Sequence, residues 1–436
     1  MRKVLIITYY WPPSGGAGVQ RWLKFVKYLP SFGWQPVVYT VANGEYPVID
    51  ASLENEIPKD VEVIKKKIWE PYALYKFIYR KEKEDRITPN TGLSSGKSSK
   101  SQLAAAWIRG NLLIPDPRKF WIRPSVKFLT DYLKKNPVDA IITSSPPHSL
   151  QLIGLTLKKK TGLPWIVDFR DPWSSYYFLL NLQLNKRVMD KHRALEKKVL
   201  DTADRVIVVS PSMKENMEKI VPGKISVITN GYDEEDFLGI AEERTGNKFS
   251  MVYTGTFLPT QNPNILWEAL AELTTEFPKL KDDLEIKLVG IIDPLILSDI
   301  TKHQLDRFLV LQNYVPHNEV IKIQKAASVL LLSVNNTPTA REIITGKLFE
   351  YLGSGRPILC FAPKDGDAGK IVLDAKAGVV NDYYNKEALK QQLVHLYAKY
   401  RAGTLSIQSS GIEKYSRRKL TEELSILLRE TTTSGN

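Results

Sequence analysis

The sequence is poor in cysteine and contains no long hydrophobic run. Its single cysteine, Cys360, excludes an intrachain disulfide and fits a reducing compartment. Cys360 lies in the apolar run "RPILCFA", which is more typical of a core position than of a nucleophile. No apolar run approaches the roughly 18 residues that cross a bilayer. Met1-Arg2-Lys3 leads directly into a strand-like run, without the pattern of a cleaved leader. We therefore expect a cytoplasmic protein.

Nucleic-acid-binding motifs are also missing, although the chain is basic. There is no zinc-ligand spacing, no aromatic RNA-binding motif and no helix-turn-helix pattern, so we expect no nucleic-acid partner. The formal net charge of +13 nevertheless needs an explanation. Anionic lipid surfaces and phosphorylated small molecules would suit it, and a solvated basic surface is the alternative.

What the sequence does contain is two series of short apolar runs that alternate with helical patterns. The first half has seven such runs, from "VLIIT" to "ISVIT", and the second half has six, from "FSMVYTG" to "AGVVND". Strands this apolar are buried on both faces, as in parallel sheets covered by helices. The length of 436 residues exceeds one ordinary core. We predict an α/β protein of two Rossmann-like, doubly wound domains that divide near the polar stretch 230–248.

One segment, at about 65–125, interrupts this alternation. Its centre, 88–102, is rich in Ser, Gly and Lys and predicts a loop, whereas its flanks mix Trp, Tyr and Phe with Lys and Arg. Such flanks suit a membrane interface or an anionic partner. A helical hairpin that packs its aromatic side chains on the domain is the alternative.

The stretch "SGGAG" at 14–18 joins the first strand to a helix. A glycine loop at this place brings free backbone N–H groups to a helix N-terminus, which favours an anion site. The spacing is neither that of the dinucleotide fingerprint nor that of a P-loop. Tight packing therefore remains an alternative to phosphate binding.

A second candidate site lies in "REIITGKLFEYLGSGRPIL". The letters "ITG" predict that a helix starts near Gly346 or Lys347, with Glu342 in the loop before it. Lys347 and Glu350 then share the first turns of that helix. A carboxylate there can bind two ribose hydroxyls and a lysine can neutralise a diphosphate, whereas a surface ion pair is the simpler interpretation.

Polar residues also follow two strands of the first half. Asp168, Arg170 and Asp171 stand at the carboxyl end of "PWIVDF", which favours a function for Asp171, although an aspartate before proline can also cap a turn. His148 follows "DAIITSS" and is chemically suited to a site, but its Pro-Pro context equally suits a helix start.

Taken in order, these motifs resemble a known family. Glu342, seven intervening residues, Glu350 and the run 355–358 resemble the donor-site motif of retaining glycosyltransferases of family 4, which have the GT-B fold. The likeness extends over nearly the whole chain and includes "ITNGYD", "YTGTF" and the glycine loop. The segments "SSPPHSLQLIGL" and "PWIVDFRDPW" look like a bacterial subgroup that builds surface polysaccharides.

The resemblance implies a domain organisation and an activity. Residues 1–240 would bind the acceptor, 241–410 would bind a nucleotide-sugar across a central cleft, and the helix in 411–436 would return to the first domain. The reaction would transfer a sugar to a glycan or lipid-linked acceptor with retention, without cofactor or metal. The leaving diphosphate itself would accept the acceptor's proton, so that stabilisation of its charge is the main task of the site. The protein could then lie peripherally on the inner face of the cell membrane.

The resemblance also assigns roles to individual residues. Glu350 would hold the ribose, Glu342 would contact the donor sugar, and Lys347 would face the diphosphate. Donor contacts are also implied for Gly15, Gly16, Gly255 and Thr256, and Asp171 would position the acceptor hydroxyl or the donor sugar. Weaker acceptor contacts are implied for His148 and Arg170.

The chain departs from the family pattern in two places. Many members carry an arginine and a lysine after the first C-terminal strand, whereas "GTFLPTQNPN" has no basic residue, so Lys347, Arg341 or backbone dipoles must compensate the diphosphate charge. Many members also have a histidine where this chain has Arg170 and Asp171. The "DGD" at 365–367 looks like a metal motif but is interpreted as a loop. A sugar-nucleotide epimerase of the same architecture and a non-catalytic membrane- or anion-binding protein remain alternative functions.

Overall fold

The computed structural model describes residues 1–70, 107–108, 110–175, 179, 182, 184–240 and 248–433. Its contacts divide the chain into two compact units. Unit 1 is Met1–Thr229 with Leu420–Asn436, and unit 2 is Asn230–Lys419. The division lies at residues 229 and 230, about ten residues before the boundary at residue 240 that the sequence predicted. The predicted loop at 88–102 lies outside the described residues. The described residues form two α/β units, as predicted.

Unit 1 is built on a parallel sheet whose described strands are seven, in the order β3-β2-β1-β4-β5-β6-β7. They coincide with the seven apolar runs of the first half. Leu5 and Ile7 of β1 enter one core cluster and Val4 and Ile6 enter another, so helices cover both faces of the sheet. The strands are β1 (Arg2–Ile7), β2 (Trp34–Val41), β3 (Glu62–Lys66), β4 (Ala140–Ser145), β5 (Trp165–Phe169), β6 (Arg205–Val208) and β7 (Ile225–Val227).

The helices of unit 1 pack apolar faces on this sheet. In the first, Val19, Trp22, Leu23 and Val26 recur at helical spacing and are all buried. Side-chain caps begin two later helices, where Asn185 accepts from the Val188 N–H and Ser210 accepts from the Met213 N–H. The helices are α1 (Ala17–Tyr28), α2 (Lys119–Lys135), α3 (Ser149–Thr161), α4 (Lys186–Thr202) and α5 (Pro211–Glu218).

Unit 2 repeats the same design. Its parallel sheet has six strands among the described residues, in the order β10-β9-β8-β11-β12-β13, and they coincide with the six apolar runs of the second half. Cys360 is fully buried in β12, as predicted. The strands are β8 (Phe249–Phe257), β9 (Leu284–Ile292), β10 (Leu309–Gln312), β11 (Val329–Ser333), β12 (Ile358–Phe361) and β13 (Gly378–Asn381). The helices are α6 (Asn264–Glu276), α7 (Pro278–Asp283), α8 (Pro294–Lys302), α9 (His317–Ala326), α10 (Gly346–Ser354), α11 (Asp367–Asp374) and α12 (Lys386–Arg401).

The C-terminal helix α13 (Arg417–Thr433) returns to unit 1, as predicted. Its leucines Leu420, Leu424 and Leu428 belong to the same core cluster as Trp22 of α1. The Arg2 guanidinium also donates to the Thr432 hydroxyl at 2.9 Å. Among the described residues, no helix combines the length and hydrophobicity that crossing a bilayer requires.

The strand order of each sheet reverses at one place. In unit 1 the reversal lies between β1 and β4, and in unit 2 it lies between β8 and β11. In open parallel sheets, ligands bind beyond the carboxyl ends of the strands at this switch point. The loops that leave these four strands are therefore where each unit can build a site.

Candidate functional site

In unit 2, paired glycines bring the ends of β8 and β9 close together. Gly255 and Gly290 are partners in the sheet, and a Cβ on Gly290 would lie only 2.4 Å from the Gly255 carbonyl oxygen. Gly255 itself has a φ of +105°, which strongly favours glycine. Gly255 and Thr256 are exposed, so this end of the strand presents backbone to a ligand.

Lys347 points at this backbone from the first turn of α10, which begins at Gly346 as predicted. Its Nζ donates to the Tyr253 hydroxyl at 2.5 Å and lies 3.8 Å from the centroid of that ring. A Cβ on Gly255 would lie 3.4 Å from the same Nζ. Burial lowers the pKa of Lys347 to about 7, and the nearby charge of Glu350 opposes this shift. The lysine is therefore readily switched between its charged and neutral forms near neutral pH.

Tyr253 was not singled out from the sequence, yet it holds Lys347. Its hydroxyl lies 2.6 Å from the Thr256 carbonyl oxygen, to which it donates, and 3.3 Å from Gln261 Oε1. Its ring stacks on Phe257 with 3.9 Å between centroids. With its only proton donated to the carbonyl, the phenol oxygen is free to accept from the Lys347 ammonium. The sole sequence signal was an aromatic residue two positions before Gly255.

Glu350 lies one turn after Lys347 and does not pair with it. The Gln324 amide of α9 donates to Glu350 Oε2 at 3.1 Å and to the Thr254 hydroxyl at 3.1 Å. Within the part of the chain that the structure describes, Glu350 Oε1 has no hydrogen-bond partner. One carboxylate oxygen is thus held in place and the other remains available to a ligand, so the surface ion pair considered above is not formed.

Glu342 lies just before α10, as predicted, in the short 3-10 turn Ala340–Glu342. It is only 8% exposed, so the residue as a whole is buried. The Thr345 hydroxyl at the start of α10 is buried without a hydrogen-bond partner among the described residues. The end of α10 that favours anions therefore carries an unsatisfied polar group beside the lysine.

Arg341, one of the alternatives to Lys347 as a diphosphate ligand, already has an ion-pair partner. Arg341 pairs with Asp365 at 3.1 Å, in a contact where both side chains are mostly exposed. Asp367 begins α11, which places the "DGD" stretch at a loop-to-helix junction. The described residues contain no group of three or more His, Cys, Asp or Glu side chains arranged to hold a metal ion.

In unit 1, Arg170 is committed to the loops around it. Its guanidinium donates to the carbonyls of Gly18 at 2.6 Å, Pro146 at 2.7 Å and Ser145 at 3.2 Å. A Cβ on Gly18 would lie 2.7 Å from Arg170 Nη1, so this glycine of the "SGGAG" loop makes room for the arginine. Arg170 thus ties the start of α1 and the end of β4, with the loop that follows β4, to the end of β5. Its predicted contact with an acceptor remains a prediction.

Asp168 was predicted to follow the strand that is now β5. It lies inside β5 instead and is fully buried. Its carboxylate accepts from the Arg21 guanidinium at 2.8 and 3.2 Å, from the Trp22 indole at 3.0 Å and from the Ser144 hydroxyl at 2.7 Å. This buried pair joins α1 to the sheet. Asp168 therefore stabilises the core of unit 1. Of the three predicted residues, only Arg170 and Asp171 lie beyond the end of β5.

Asp171 and His148 both lie at the carboxyl ends of strands. The Asp171 carboxylate has no hydrogen-bond partner within the described ranges, and burial raises its pKa, with the positive charge of Arg170 acting in the opposite sense. The His148 ring lies parallel to Trp173, with 4.7 Å between centroids. Burial, followed by the neighbouring His192 and Arg170, lowers the pKa of His148 to about 3. His148 is therefore neutral at physiological pH.

The remaining glycines of the first loop have different requirements. The Gly15 N–H donates to the Val48 carbonyl at 2.9 Å and is thus already satisfied. Gly16 has a φ of +87°, and no atom would lie within 4 Å of a Cβ there. Gly16 precedes α1, which has no side-chain cap. Backbone conformation rather than close packing thus requires glycine at position 16, and the predicted approach of both residues to a diphosphate remains a prediction.

The two units, with their parallel sheets and reversed strand order, define a GT-B fold. Solved structures with this fold cover the chain almost completely. A sucrose-phosphate synthase from Thermosynechococcus elongatus aligns over 100% of this chain and 97% of its own, with a TM-score of 0.61 and 15% identity. WaaG, a glycosyltransferase involved in lipopolysaccharide biosynthesis, gives a TM-score of 0.55 at 14% identity over 99% of both chains. HepE of Anabaena, solved with UDP-glucose, gives 0.57 at 14% identity over 100% of this chain and 98% of its own.

Sequence comparison adds a match to one family model over about a third of the chain. The model of Glycosyltransferase Family 4 matches residues 90–236. An uncharacterized glycosyltransferase of Methanocaldococcus jannaschii is 22% identical over 244 residues, which are 56% of this chain and 61% of that protein. The chain thus spans about three fifths of the length of the curated relative it matches. The resemblance to glycosyltransferase family 4 is thus supported over residues 90–236, and the donor-site motif at 342–358 lies outside this match.

Proposed function

We propose that the protein is a retaining glycosyltransferase that moves a sugar from a nucleotide-sugar to a glycan or lipid-linked acceptor during cell-surface polysaccharide synthesis. The observation that carries the proposal is the group formed by Lys347, Tyr253 and the exposed backbone at Gly255 in unit 2. Lys347 supplies a positive charge at the start of α10, and the end of β8 beside it exposes backbone. Together they form an environment that suits a diphosphate.

In this proposal Lys347 compensates the diphosphate charge that an arginine and a lysine compensate elsewhere in the family. A dianionic ligand beside the Nζ favours the ammonium form, which offsets the burial that lowers the pKa of Lys347 to about 7. The Glu350 Oε1 binds ribose hydroxyls while Gln324 holds the other oxygen. Glu342 contacts the donor sugar.

The transfer breaks the bond between the anomeric carbon and the diphosphate oxygen and forms a bond to the acceptor oxygen. The proton of the acceptor hydroxyl passes to the departing diphosphate, so no cofactor or metal enters this scheme. Stabilising the charge that develops on the diphosphate is then the main catalytic task, which falls to Lys347 and to the backbone N–H groups at the start of α10. Asp171 in unit 1 positions the acceptor hydroxyl.

The proposed partners include an anionic membrane surface. Trp69 and Phe120 are 59% and 41% exposed, and their rings meet edge to face with 4.7 Å between centroids. The exposed lysines at 65–67 precede Trp69 in sequence. Aromatic side chains beside basic ones suit the headgroup region of an anionic bilayer, which supports a peripheral place on the cytoplasmic face.

The test of this function is substitution of Glu350. Each nucleotide-sugar of a panel of UDP-, GDP-, ADP- and dTDP-sugars is added to the wild-type protein, and the rise in melting temperature identifies the donor. Glu350→Ala should weaken that donor at least about 10-fold, because hydrogen bonds from ribose hydroxyls to a charged carboxylate are lost. Glu387→Ala, at an exposed carboxylate of the same unit, is the matched control.

Product analysis with the identified donor completes the test. Transfer requires an added acceptor, whereas an epimerase would convert the donor in its absence. An unchanged donor affinity in Glu350→Ala would exclude the proposed site, and an epimeric nucleotide-sugar formed without acceptor would favour the epimerase.

A further inference from the structure

A cavity of about 160 Å³ lies within unit 1, beyond the ends of β4 and β5. Its wall is mainly apolar and aromatic, from Tyr10, Trp173, Leu179, Leu182 and several prolines. A cavity of about 150 Å³ is large enough to hold a six-membered ring such as benzene. The size of this cavity therefore admits the skeleton of one six-membered ring, and the substituents of a pyranose would extend beyond it.

Two imidazoles in the wall have nitrogens without hydrogen-bond partners. His148 Nδ1 and His192 Nε2 are both buried and unpaired within the described parts of the chain. The Trp173 indole donates to His192 Nδ1 at 3.1 Å, which places the proton of the neutral ring on Nε2. His192 is only 1% exposed. An N–H donor is thus buried at the cavity wall with nothing to receive it, which is costly unless a ligand or water does so.

The charged groups of the wall are already engaged. Asp116 accepts from the Ser149 N–H and from the Ser149 hydroxyl, both at 2.8 Å. Arg118 Nε lies 2.6 Å from Glu70 Oε1. Burial holds the pKa of His192 at about 4, with a smaller contribution from Lys191, so this imidazole is uncharged at neutral pH. Among the described residues of its wall, the cavity thus offers hydrogen bonds but no cation that is left to pair with an anionic ligand.

We propose that this cavity binds one uncharged sugar ring. The apolar face of the ring packs against the aromatic wall, a ring hydroxyl accepts from His192 Nε2–H, and another hydroxyl bonds to His148 Nδ1. The assignment of this ring to the acceptor, rather than to another saccharide, rests on the proposed function. An apolar lipid chain would leave both imidazoles unsatisfied, and an anionic sugar would find no free cation.

The experiment uses the full-length protein and saturation-transfer NMR. The probes are methyl glycosides of glucose, galactose, mannose, rhamnose and N-acetylglucosamine, compared with methyl glucuronide, glucose 6-phosphate and 3-methyl-2-buten-1-ol. We expect at least one uncharged glycoside to bind with millimolar affinity, and the two anions and the isoprenoid alcohol to bind more weakly.

His192→Asn tests the donor directly. The asparagine amide can still accept from the Trp173 indole but no longer reaches the place of Nε2, so glycoside affinity should fall about 5- to 10-fold. His192→Gln extends an amide toward that place and should recover part of the affinity. His395→Asn, at an exposed histidine of unit 2, is the control. Melting temperatures of all variants show whether they are folded.

The outcomes separate this inference from the proposed function. Binding of no uncharged glycoside, equal binding by wild type and His192→Asn, or tighter binding of an anion or of the isoprenoid alcohol would each overturn the inference. Glu350→Ala should leave glycoside binding unchanged. If nucleotide-sugars stabilise the protein and the glycosides fail, only the cavity assignment falls. If the glycosides bind and no nucleotide-sugar does, the cavity stands as a saccharide site and the transferase proposal fails.

Discussion

Lys347 shows how a single contact can define the chemistry of a side chain. Its ammonium is held by the Tyr253 phenol, which is itself fixed by the Thr256 carbonyl and by stacking on Phe257. The phenol supplies a hydrogen bond to the charged form, while burial favours the neutral form. The strength with which Lys347 binds an anion therefore depends on Tyr253.

Tyr253→Phe should weaken the binding of a nucleoside diphosphate and shift its pH dependence. Loss of the phenol oxygen removes a hydrogen bond that favours the ammonium, so the pKa of Lys347 falls below about 7. Binding requires the charged lysine, so in the wild type it weakens as the pH rises through 7. In Tyr253→Phe this decline should begin at lower pH, with about 10-fold weaker binding at pH 7.5.

Calorimetric titration of the protein with UDP or GDP between pH 6.5 and 8.5 measures this shift. Lys347→Ala provides the reference, since it should bind weakly with little dependence on pH in this range. Two results would contradict the assignment: a wild-type pH profile in Tyr253→Phe, or a loss of affinity that is equal at every pH.

Gly16→Ala should destabilise the protein by about 1 to 3 kcal/mol. Gly16 combines a φ of 87° with a ψ of 173°, a backbone region that is essentially restricted to glycine. No atom lies within 4 Å of the added Cβ, so the whole cost comes from the backbone. Urea unfolding followed by circular dichroism measures the change in the free energy of unfolding.

The matched control for that substitution is Gly33→Ala. Gly33 has a φ of 84° and a ψ of 15°, an ordinary left-handed conformation that other residues adopt at lower cost. Its substitution should cost about 1 kcal/mol. Equal costs at the two positions would show that the conformation of Gly16 is not the reason for glycine there.

The positions of the site residues along a helix were more predictable from the sequence than their contacts with distant residues. The spacing of Glu342, Lys347 and Glu350 was enough to place them around the start of one helix, because that pattern is local. The contact between Tyr253 and Lys347 joins positions 94 apart, so no local pattern contains it. The structural role of Asp168 could not be predicted for a related reason, because its partner Arg21 lies 147 positions away in the sequence.

Trp173, which follows β5, contacts two histidines from different helices. His148, at the start of α3, stacks on Trp173, and His192, on α4, accepts the indole N–H. On α4, Val188, His192, Glu196 and Val199 follow the helical spacing that faces the core, which was the available sequence signal for His192. An interior histidine of this kind links the stability of the unit to pH.

Acidification should destabilise the protein through His192. Its pKa is lowered to about 4 in the folded protein, from an ordinary value near 6.5, so the unfolded chain binds more protons between these two values. The stabilising contribution is present above about pH 6.5 and is lost as the pH falls toward 4. A shift of this size is worth up to about 3 kcal/mol.

Urea unfolding at pH 7.5, 6.5, 5.5 and 4.5 measures this contribution as a difference between variants. The free energy of unfolding of wild type should fall more steeply with decreasing pH than that of His192→Asn, which lacks the titrating ring. His395→Asn should follow the wild type, because that histidine is exposed. Parallel curves for wild type and His192→Asn would show that His192 is not the group responsible.

Secondary structure was the most predictable level of organisation. Every predicted strand run corresponds to a strand, because a parallel sheet buried on both faces requires continuous apolar runs. The start of α10 at Gly346 was equally local in origin. The neighbours of each strand in the sheet could not be obtained from the runs themselves, since pairing depends on contacts between distant segments. The strand order became clear only from the structure.

The two units share one strand order, which argues for one principle of ligand binding in both. In unit 2, Gly255 lies near the end of β8 and Lys347 follows β11; in unit 1, His148 follows β4 and Arg170 follows the neighbouring β5. The net charge of +13 was visible in the sequence but did not indicate its own partner. The exposed aromatic and basic residues near Trp69 provide a surface on which that charge can be tested.

Sedimentation with lipid vesicles should show binding that depends on anionic lipid and on salt. Vesicles of phosphatidylglycerol and phosphatidylethanolamine are expected to bind the protein at low ionic strength and to release it as salt screens the charges. Replacement of the three lysines at 65–67 by glutamate should weaken binding at least about 100-fold, since each basic residue near such a surface contributes about 1 kcal/mol.

A double substitution, Trp69→Ser with Phe120→Ser, tests the aromatic contribution separately. It should weaken binding without changing its slope against salt concentration, because it removes apolar insertion and leaves the charge intact. Tyr384→Ser, at a side chain of unit 2 that is 79% exposed, is the control for loss of an exposed aromatic. Equal binding to neutral vesicles, or binding that the lysine substitutions leave unchanged, would show that the lysines at 65–67 do not attach the protein to an anionic membrane, and would leave phosphorylated substrates or a solvated basic surface to explain the net charge of +13.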